Sequence, residues 1–383
     1  MIPSTAAASS ALGAYEPSLD GMRGVCIAAV VVYHACAVSD LNGWVRGGFI
    51  GVSVFFTLSG FLIASLLLRE ISSSETIDLM SFWARRIRRL WPASLVVVLA
   101  VVTLSTFDTL AIRASDALAA TWSFTNWHVI VSGQQRLLQT IVGPLGPTWS
   151  LAVEEQFYLV LALLLALAAR CERPQRVLLI VAGVGIVVPL ALSNLTTDWQ
   201  PALEFHTVLR MPELFTGVVL AVWHRQGQQP RQLVGRIGGD IAAAVGLVVL
   251  LALFAFADYS PPWLLRGGYT LVAAVSALTI AGLLQHGHLA AILSWAPLRS
   301  LGTISYSLYL VHWPVMSVLT SGRAGLDGVP FAAIIVTVSV ATAIVLHRFV
   351  ERPIRRMRAT PVATLLVGGL AGVLLTVLSL VVL

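Results

Sequence analysis

Two histidines interrupt apolar segments of the sequence, where packing alone gives an imidazole no obvious role. His34 follows Arg23 by eleven residues in DGMRGVCIAAVVVYHA, and the residues between them are mostly Val, Ala and Ile. On a helix this spacing separates the two side chains by roughly 16 Å along the axis. Histidine suits general base catalysis because it gains and loses a proton near physiological pH. We therefore predict that His34 is a catalytic base. The alternative is a histidine that only hydrogen-bonds between packed helices.

The second histidine, His312, lies in SYSLYLVHWP, about eleven residues into an apolar segment that begins near residue 301. If that segment crosses the membrane in the same direction as the one carrying His34, the two imidazoles reach the same depth. Pro314 follows closely and loosens the helix, as expected beside a cavity.

Four arginines occur within five residues of FWARRIRRLWP, namely Arg85, Arg86, Arg88 and Arg89. A guanidinium group binds phosphate through two parallel hydrogen bonds, and coenzyme A presents several phosphates. The cluster therefore predicts a site for a CoA nucleotide. An anchor against anionic lipid is an equally good interpretation of the charge alone.

Acidic residues occur at two further places inside apolar segments. Glu154 and Glu155 lie in PTWSLAVEEQFYL and point about 100° apart on a helix, so we expect one of them to face the bundle interior. That carboxylate would orient His34 or hold an acceptor hydroxyl, or else pair with an arginine for structural reasons. Arg210 and Glu213 are three residues apart and can pair on one helix face, which we interpret as a structural ion pair.

The composition indicates what kind of secondary structure carries these side chains. The chain has 383 residues, of which 57% are hydrophobic and 11% charged, whereas soluble domains carry about 25% charged residues. The apolar runs, about 16 to 22 residues long, match helices that span a bilayer. Backbone groups in lipid must be paired internally, and no period-two alternation suggests a barrel. We therefore predict an all-α, polytopic transmembrane helical bundle.

Eleven spans are predicted, ten in a core and an eleventh at the C-terminus. They lie near 22–39, 48–69, 90–107, 149–169, 177–193, 207–223, 240–257, 267–285, 301–319, 330–348 and 361–382. The segment 117–131 is apolar but short and contains Asn126 and His128. We predict a short re-entrant segment there, because irregular backbone at membrane depth needs surrounding protein.

The basic residues orient this topology. All 24 are arginines, and with a cytoplasmic N-terminus 18 of them lie on the inner side, which agrees with the positive-inside rule. These arginines lie between apolar segments and do not form one soluble face, so nucleic-acid binding is not expected.

The three cysteines form no disulfide framework, and no metal-ligand spacing occurs. The first eighteen residues lack the features of a cleavable signal peptide. We expect a multi-pass protein of the cell membrane.

Seven stretches resemble, in order, the acyltransferase 3 family of integral membrane O-acyltransferases, and the resemblance runs from about residue 18 to 356. They are LDGMRGVCIAAVVVYHA, GGFIGVSVFFTLSGFLI, FWARRIRRLWPA, GPTWSLAVEEQFYL, RMPELFTG, ISYSLYLVHWPV and ERPIRR. The resemblance implies catalytic roles for His34, Arg23, Glu154, Glu155 and His312. It also implies CoA binding by Arg85, Arg86, Arg89 and Arg23.

This resemblance implies transfer of an acyl group from acyl-CoA, such as acetyl-CoA or propionyl-CoA, without a metal. The acceptor would be a hydroxyl of a glycan, a lipid-linked sugar or a macrolide-type compound, and transfer would be direct or through an acyl-histidine. Many relatives append an SGNH hydrolase-like domain. Here we expect residues 1–356 to form the acyltransferase domain and 357–383 an additional helix, as a stand-alone member without an SGNH domain. Monomer and homo-oligomer both stay open as its oligomeric state.

The alternative function is a proton-coupled secondary transporter, with His34, Arg210 and Glu213 as a proton relay. Such transporters are commonly built from inverted repeats, and the sequence has none that we can recognise.

Overall fold

The computed structural model describes residues 15–41, 43–132, 143–195, 204–225, 235–259 and 261–383. Within these ranges the chain forms helices and turns, with no strand. The first half contains α1 (Pro17–Val38), α2 (Gly51–Ser74), α3 (Leu79–Ser105), α4 (Ala114–Thr121), α5 (Thr125–Ser132), α6 (Thr148–Ala168) and α7 (Pro174–Leu195). A 3-10 turn, Gly48–Ile50, leads directly into α2.

The second half contains eleven further helices in the described ranges. They are α8 (Met211–Arg225), α9 (Gly235–Phe256), α10 (Pro261–Trp263), α11 (Tyr269–Leu283), α12 (His288–Leu293), α13 (Ala296–Thr303), α14 (Ser305–Val318), α15 (Ser321–Ala324), α16 (Gly328–Leu346), α17 (Arg352–Arg356) and α18 (Pro361–Val382). A 3-10 turn over Val208–Arg210 precedes α8. Wider π-helical turns over Leu264–Gly268 and His347–Glu351 lead into α11 and α17.

Nine helical segments in the described ranges are long and apolar enough to cross a membrane. The other two predicted spans, 207–223 and 301–319, correspond to the shorter helices α8, of 15 residues, and α14, of 14 residues. Both are buried along most of their length; α8 follows the 3-10 turn Val208–Arg210, and α14 is separated from α13 by a break at Ile304. Neighbouring helices therefore supply the protein surroundings that such irregular backbone needs. The prediction of a polytopic helical bundle is confirmed.

The segment predicted to be re-entrant consists of two short helices, α4 and α5, separated by a turn at Trp122–Phe124. Asn126 is buried, and its side-chain amide donates to the Phe205 carbonyl oxygen at 3.1 Å and to Thr207 Oγ1 at 2.9 Å. His128 Nε2 lies 2.7 Å from Asp116 Oδ1. The polar residues that interrupt the apolar run thus hold the short helices in place, and no continuous spanning helix forms.

Glycines bring the central helices into close contact. A Cβ atom on Gly60 of α2 would clash with the Leu214 carbonyl oxygen of α8, and one on Gly217 would clash with the Thr57 carbonyl oxygen. Small residues of this kind allow membrane helices to pack backbone against backbone. The same device joins α1 to α13, where Gly302 lies against the Asp20 carbonyl oxygen. These contacts fix α1 beside the segment that leads into α14.

The peripheral helices expose apolar side chains on their outer faces, as lipid-facing helices do. On α18, for example, Leu366, Val367 and Leu370 are exposed. This helix packs along α3, where Arg88 donates a hydrogen bond to the Ala359 carbonyl oxygen at 2.9 Å. Arg136 and Arg231, two of the arginines used to predict the topology, lie outside the described residues.

Candidate active site

Helix α1 carries Arg23 and His34 on one face. Eleven residues correspond to about three full turns, so the two side chains point in nearly the same direction at different heights. Arg23 donates a hydrogen bond to Ser305 Oγ at 3.0 Å and lies 3.5 Å from Asp20. Helix α14, which begins at Ser305, therefore contacts the same face of α1 near its start.

At the other end of this face, the structure brings His34 together with His312 of α14. His34 Nδ1 lies 3.0 Å from His312 Nε2, and the two rings are nearly parallel, with 19° between their planes. His312 is fully buried. The prediction that the two histidines reach the same depth is confirmed, because they are in direct contact.

The hydrogen bonds of His312 define which nitrogens carry protons in the neutral pair. His312 Nδ1 lies 2.7 Å from the backbone carbonyl oxygen of Tyr309. A carbonyl can only accept, so His312 Nδ1 must donate, and in the neutral ring Nε2 must then accept. His34 Nδ1 is consequently the donor to His312 Nε2. This leaves His34 Nε2 with its lone pair, as a base requires.

A first cavity, which we call the arginine cavity, encloses about 840 Å³ of empty space, part of it open to solvent. Its charged lining consists of Arg23, Arg86, Arg89 and Glu154. Arg86 Nε is buried and has no hydrogen-bond partner among the described residues. Three guanidinium groups facing one carboxylate make this cavity strongly attractive to anions.

The two adjacent glutamates lie on different sides of α6. Glu154 faces the arginine cavity, where Ser59 Oγ donates to it at 2.8 Å and the Tyr158 hydroxyl at 3.1 Å. Glu155 accepts from Ser123 Oγ at 2.6 Å and, at 3.4 Å, from the indole nitrogen of Trp91. Both carboxylates therefore contact packed helices, and of the two only Glu154 lines the arginine cavity.

The arginine cluster is also divided. Arg86 and Arg89 line the arginine cavity, whereas Arg85 is half exposed and pairs with Glu70 at 3.0 Å. The structure therefore does not bring Arg85 into the cavity. Arg88 faces α18 through its contacts with Ala359 and Thr364.

A second cavity, which we call the histidine cavity, contains His34 and about 2190 Å³ of empty space, including its opening to solvent. Aromatic rings dominate its wall, among them Tyr33, Trp44, Phe49, Trp149, Tyr259 and Trp313. Such rings offer apolar faces with polar edges. The cavity is large enough for a ligand of several rings.

Buried charges form one side of the histidine cavity. Arg210 donates to both carboxylate oxygens of Glu213, at 2.9 and 3.0 Å, which confirms the predicted ion pair. It also donates to Glu204 at 3.4 Å and to Ser53 at 3.2 Å. The centroid of the Tyr269 ring lies 3.7 Å from the guanidinium carbon of Arg210 in a cation–π contact. This saturated set of partners is typical of a structural ion pair.

Sequence reasoning missed Glu204 and Tyr259. The Tyr259 hydroxyl donates to Glu204 at 2.5 Å, and both residues line the histidine cavity. Burial raises the pKa of the Glu204 carboxyl, while Arg210 and the Tyr259 hydrogen bond offset part of that rise. Both residues lie between spans, where an isolated charge or tyrosine in a single sequence carries no signal.

The two cavities are neighbours, because Val52 and Tyr309 line both of them. Neither residue stood out in the sequence. Within the described ranges, no group of three or more His, Cys, Asp or Glu side chains is arranged to hold a metal ion.

Comparison with known proteins identifies relatives over most of the chain. The O-acetyltransferase OatA of Staphylococcus aureus (strain NCTC 8325 / PS 47) is 32% identical over 354 residues, covering 89% of this chain and 57% of the relative. The peptidoglycan O-acetyltransferase OatA of Listeria monocytogenes is 34% identical over 356 residues, covering 89% and 56%. The putative peptidoglycan O-acetyltransferase YrhL of Bacillus subtilis is 32% identical over 357 residues, covering 89% and 55%.

The chain thus spans little more than half the length of these relatives. No solved structure matches it. The pattern of the family described as "Acyltransferase domain" matches residues 16–348, which include both histidines, the arginine cavity and the histidine cavity. By this match over most of its length, the chain belongs to the acyltransferase 3 family.

Proposed function

We propose that this protein is a membrane O-acyltransferase that moves a short acyl group from acyl-CoA to a hydroxyl of a carbohydrate acceptor. The observation that carries the proposal is the His34–His312 pair, which leaves a basic nitrogen at a large cavity next to an arginine-lined one. The names of the relatives favour a peptidoglycan-like glycan over a macrolide as the acceptor.

The arginine cavity would bind the donor. Arg23, Arg86 and Arg89 would hold the phosphates of CoA, and the unpartnered Arg86 Nε is a donor available for a phosphate oxygen. The apolar wall, which includes Leu62 and Leu66, suits the pantetheine arm. The thioester would then lie at the end of this cavity lined by Tyr309.

His34 would act as the general base. Its Nε2 takes the proton of the acceptor hydroxyl, and the hydroxyl oxygen attacks the thioester carbonyl carbon. When the carbon–sulfur bond breaks, the leaving thiolate takes the proton back from His34 Nε2, so that the products are an ester and CoA. His312 accepts the hydrogen bond from His34 Nδ1 throughout and holds the ring in orientation.

The proposed orientation places the N-terminus in the cytoplasm, in agreement with the distribution of the arginines. Acyl-CoA would enter the arginine cavity from the cytoplasm, and the acceptor would enter the histidine cavity. Aromatic faces together with the Glu204 and Tyr259 oxygens suit a hydroxyl-rich ring system.

The test uses the purified full chain in detergent with acetyl-CoA and a soluble peptidoglycan fragment. Free thiol is measured with a colorimetric reagent, and the acetyl ester on the glycan by mass spectrometry. We expect thiol release that depends on the acceptor and matches ester formation. Absence of ester formation, together with proton-dependent solute uptake after reconstitution in vesicles, would support the transporter alternative instead.

A further inference from the structure

We propose that Val52 and Tyr309 form a size filter that restricts the transferred acyl group to short chains. The inference rests on the proposed function and adds to it the residues that set acyl-chain selectivity. It starts from the fact that these two side chains line both the arginine cavity and the histidine cavity. On this proposal an acyl group carried on CoA would pass or rest between them to meet an acceptor beside His34.

Hydrogen bonds hold the Tyr309 side of this filter in place. The Tyr309 hydroxyl donates to the Pro147 carbonyl oxygen at 2.9 Å and lies 2.7 Å from Ser150 Oγ. Both partners are at the start of α6, and Tyr309 and Ser150 are buried. Moving the ring aside would take the buried Tyr309 hydroxyl away from both of these partners, which is costly. The position of this ring is therefore fixed.

The backbone of Tyr309 is also held in place, because its carbonyl oxygen accepts the hydrogen bond from His312 Nδ1 at 2.7 Å. One residue thus lines both cavities and orients the histidine pair with its backbone carbonyl oxygen. An acyl chain too long to fit beside the ring cannot be accommodated by shifting α14 without also displacing His312.

Val52 is the second residue of the proposed filter. It lies in the first turn of α2 and is only half-buried, since its side chain faces the two cavities. Its two methyl groups have no hydrogen bonds to constrain them, so substitution changes the width of the passage without breaking a polar network. One methylene in an apolar site changes selectivity by about 10- to 200-fold.

The experiment compares acetyl-CoA with butyryl-CoA at a fixed concentration of peptidoglycan fragment. The measured quantity is the ratio of kcat/KM for butyryl transfer to kcat/KM for acetyl transfer. We expect Val52→Ala to raise this ratio at least about 10-fold and Val52→Leu to lower it by a similar factor. Val54→Ala is the matched control, because it is the same substitution at the other valine of α2, and Val54 lines neither of these two cavities. Its ratio should equal that of the wild type.

The outcomes separate the two proposals. Acetyl transfer by the wild type with an unchanged ratio in both Val52 variants would overturn the filter and leave the proposed function standing. If Val52→Ala does not fold, Val52→Leu alone decides by the same criterion. An equal rise in Val54→Ala would also overturn the filter, because the ratio would then respond to any loosening of α2 and not to the residue between the cavities. No acyl transfer by the folded wild type would overturn the proposed function itself.

Discussion

His34 Nδ1 lies 3.0 Å from His312 Nε2, across the contact between α1 and α14. Because His312 Nδ1 is engaged by the Tyr309 carbonyl oxygen at 2.7 Å, the direction of the hydrogen bond between the two rings is determined. The first histidine is thereby held with its basic Nε2 unprotonated. A histidine chain anchored on a backbone carbonyl needs no carboxylate to orient the base.

Removing the base tests the role of His34. His34→Ala should lower kcat about 10²- to 10⁴-fold, because a positioned general base typically contributes that much. The measurement is acceptor-dependent release of CoA by the purified variant. Its elution volume and melting temperature should match those of the wild type, and full activity in a folded His34→Ala protein would refute the assignment.

Substituting the second histidine tests the positioning role of His312. His312→Phe cannot accept from His34 Nδ1, and we expect kcat to fall about 10- to 100-fold, corresponding to one lost buried hydrogen bond. His312→Gln offers an amide oxygen as an acceptor and should recover part of kcat. The KM for acyl-CoA should stay close to that of the wild type in both variants. Equal activity of His312→Phe and His312→Gln would contradict the role.

Adjacent arginines provide a matched pair for the donor site. Arg86→Gln should raise the KM for acetyl-CoA about 10-fold or more, because charge-assisted hydrogen bonds to phosphate contribute about 1.5–3 kcal/mol. Arg85→Gln should change this KM less than twofold, since Arg85 pairs with Glu70 outside the cavity. Steady-state kinetics over a range of acetyl-CoA concentrations distinguishes the two. Similar increases in both variants would indicate general electrostatic attraction and not a site.

The buried ion pair beside the histidine cavity should control stability. Arg210→Met leaves the buried carboxylates of Glu213 and Glu204 without their counter-ion, and we expect a loss of about 3–5 kcal/mol in the free energy of unfolding. The double variant Arg210→Met/Glu213→Leu should be more stable than Arg210→Met alone. Thermal and denaturant unfolding in detergent measures both. A single variant as stable as the wild type would show that this network contributes nothing to the fold.

Much of the architecture is readable in the sequence, because the bilayer imposes simple requirements. Apolar runs of spanning length must become helices, so nearly all predicted spans coincide with observed ones. The two exceptions are α8, which a 3-10 turn precedes, and α14, which a break at Ile304 separates from α13; such interruptions need surrounding helices at membrane depth. Whether such surroundings exist is a tertiary property, which a hydropathy pattern does not contain.

Part of the candidate site could likewise be predicted from the sequence, whereas the rest depends on how the helices pack. The positions of His34, His312, Glu154 and Glu155 in apolar segments were enough to single them out, because ionisable groups are costly there. The density of arginines singled out the cluster that contains Arg86. Helix packing alone decided that Arg85 turns to Glu70 and that Glu155 faces Ser123. It also decided that Val52 and Tyr309, ordinary residues in the sequence, line both cavities. The chemical type of a side chain can be read from the sequence. A cavity forms only between helices that are distant along the chain, so its lining depends on the tertiary structure.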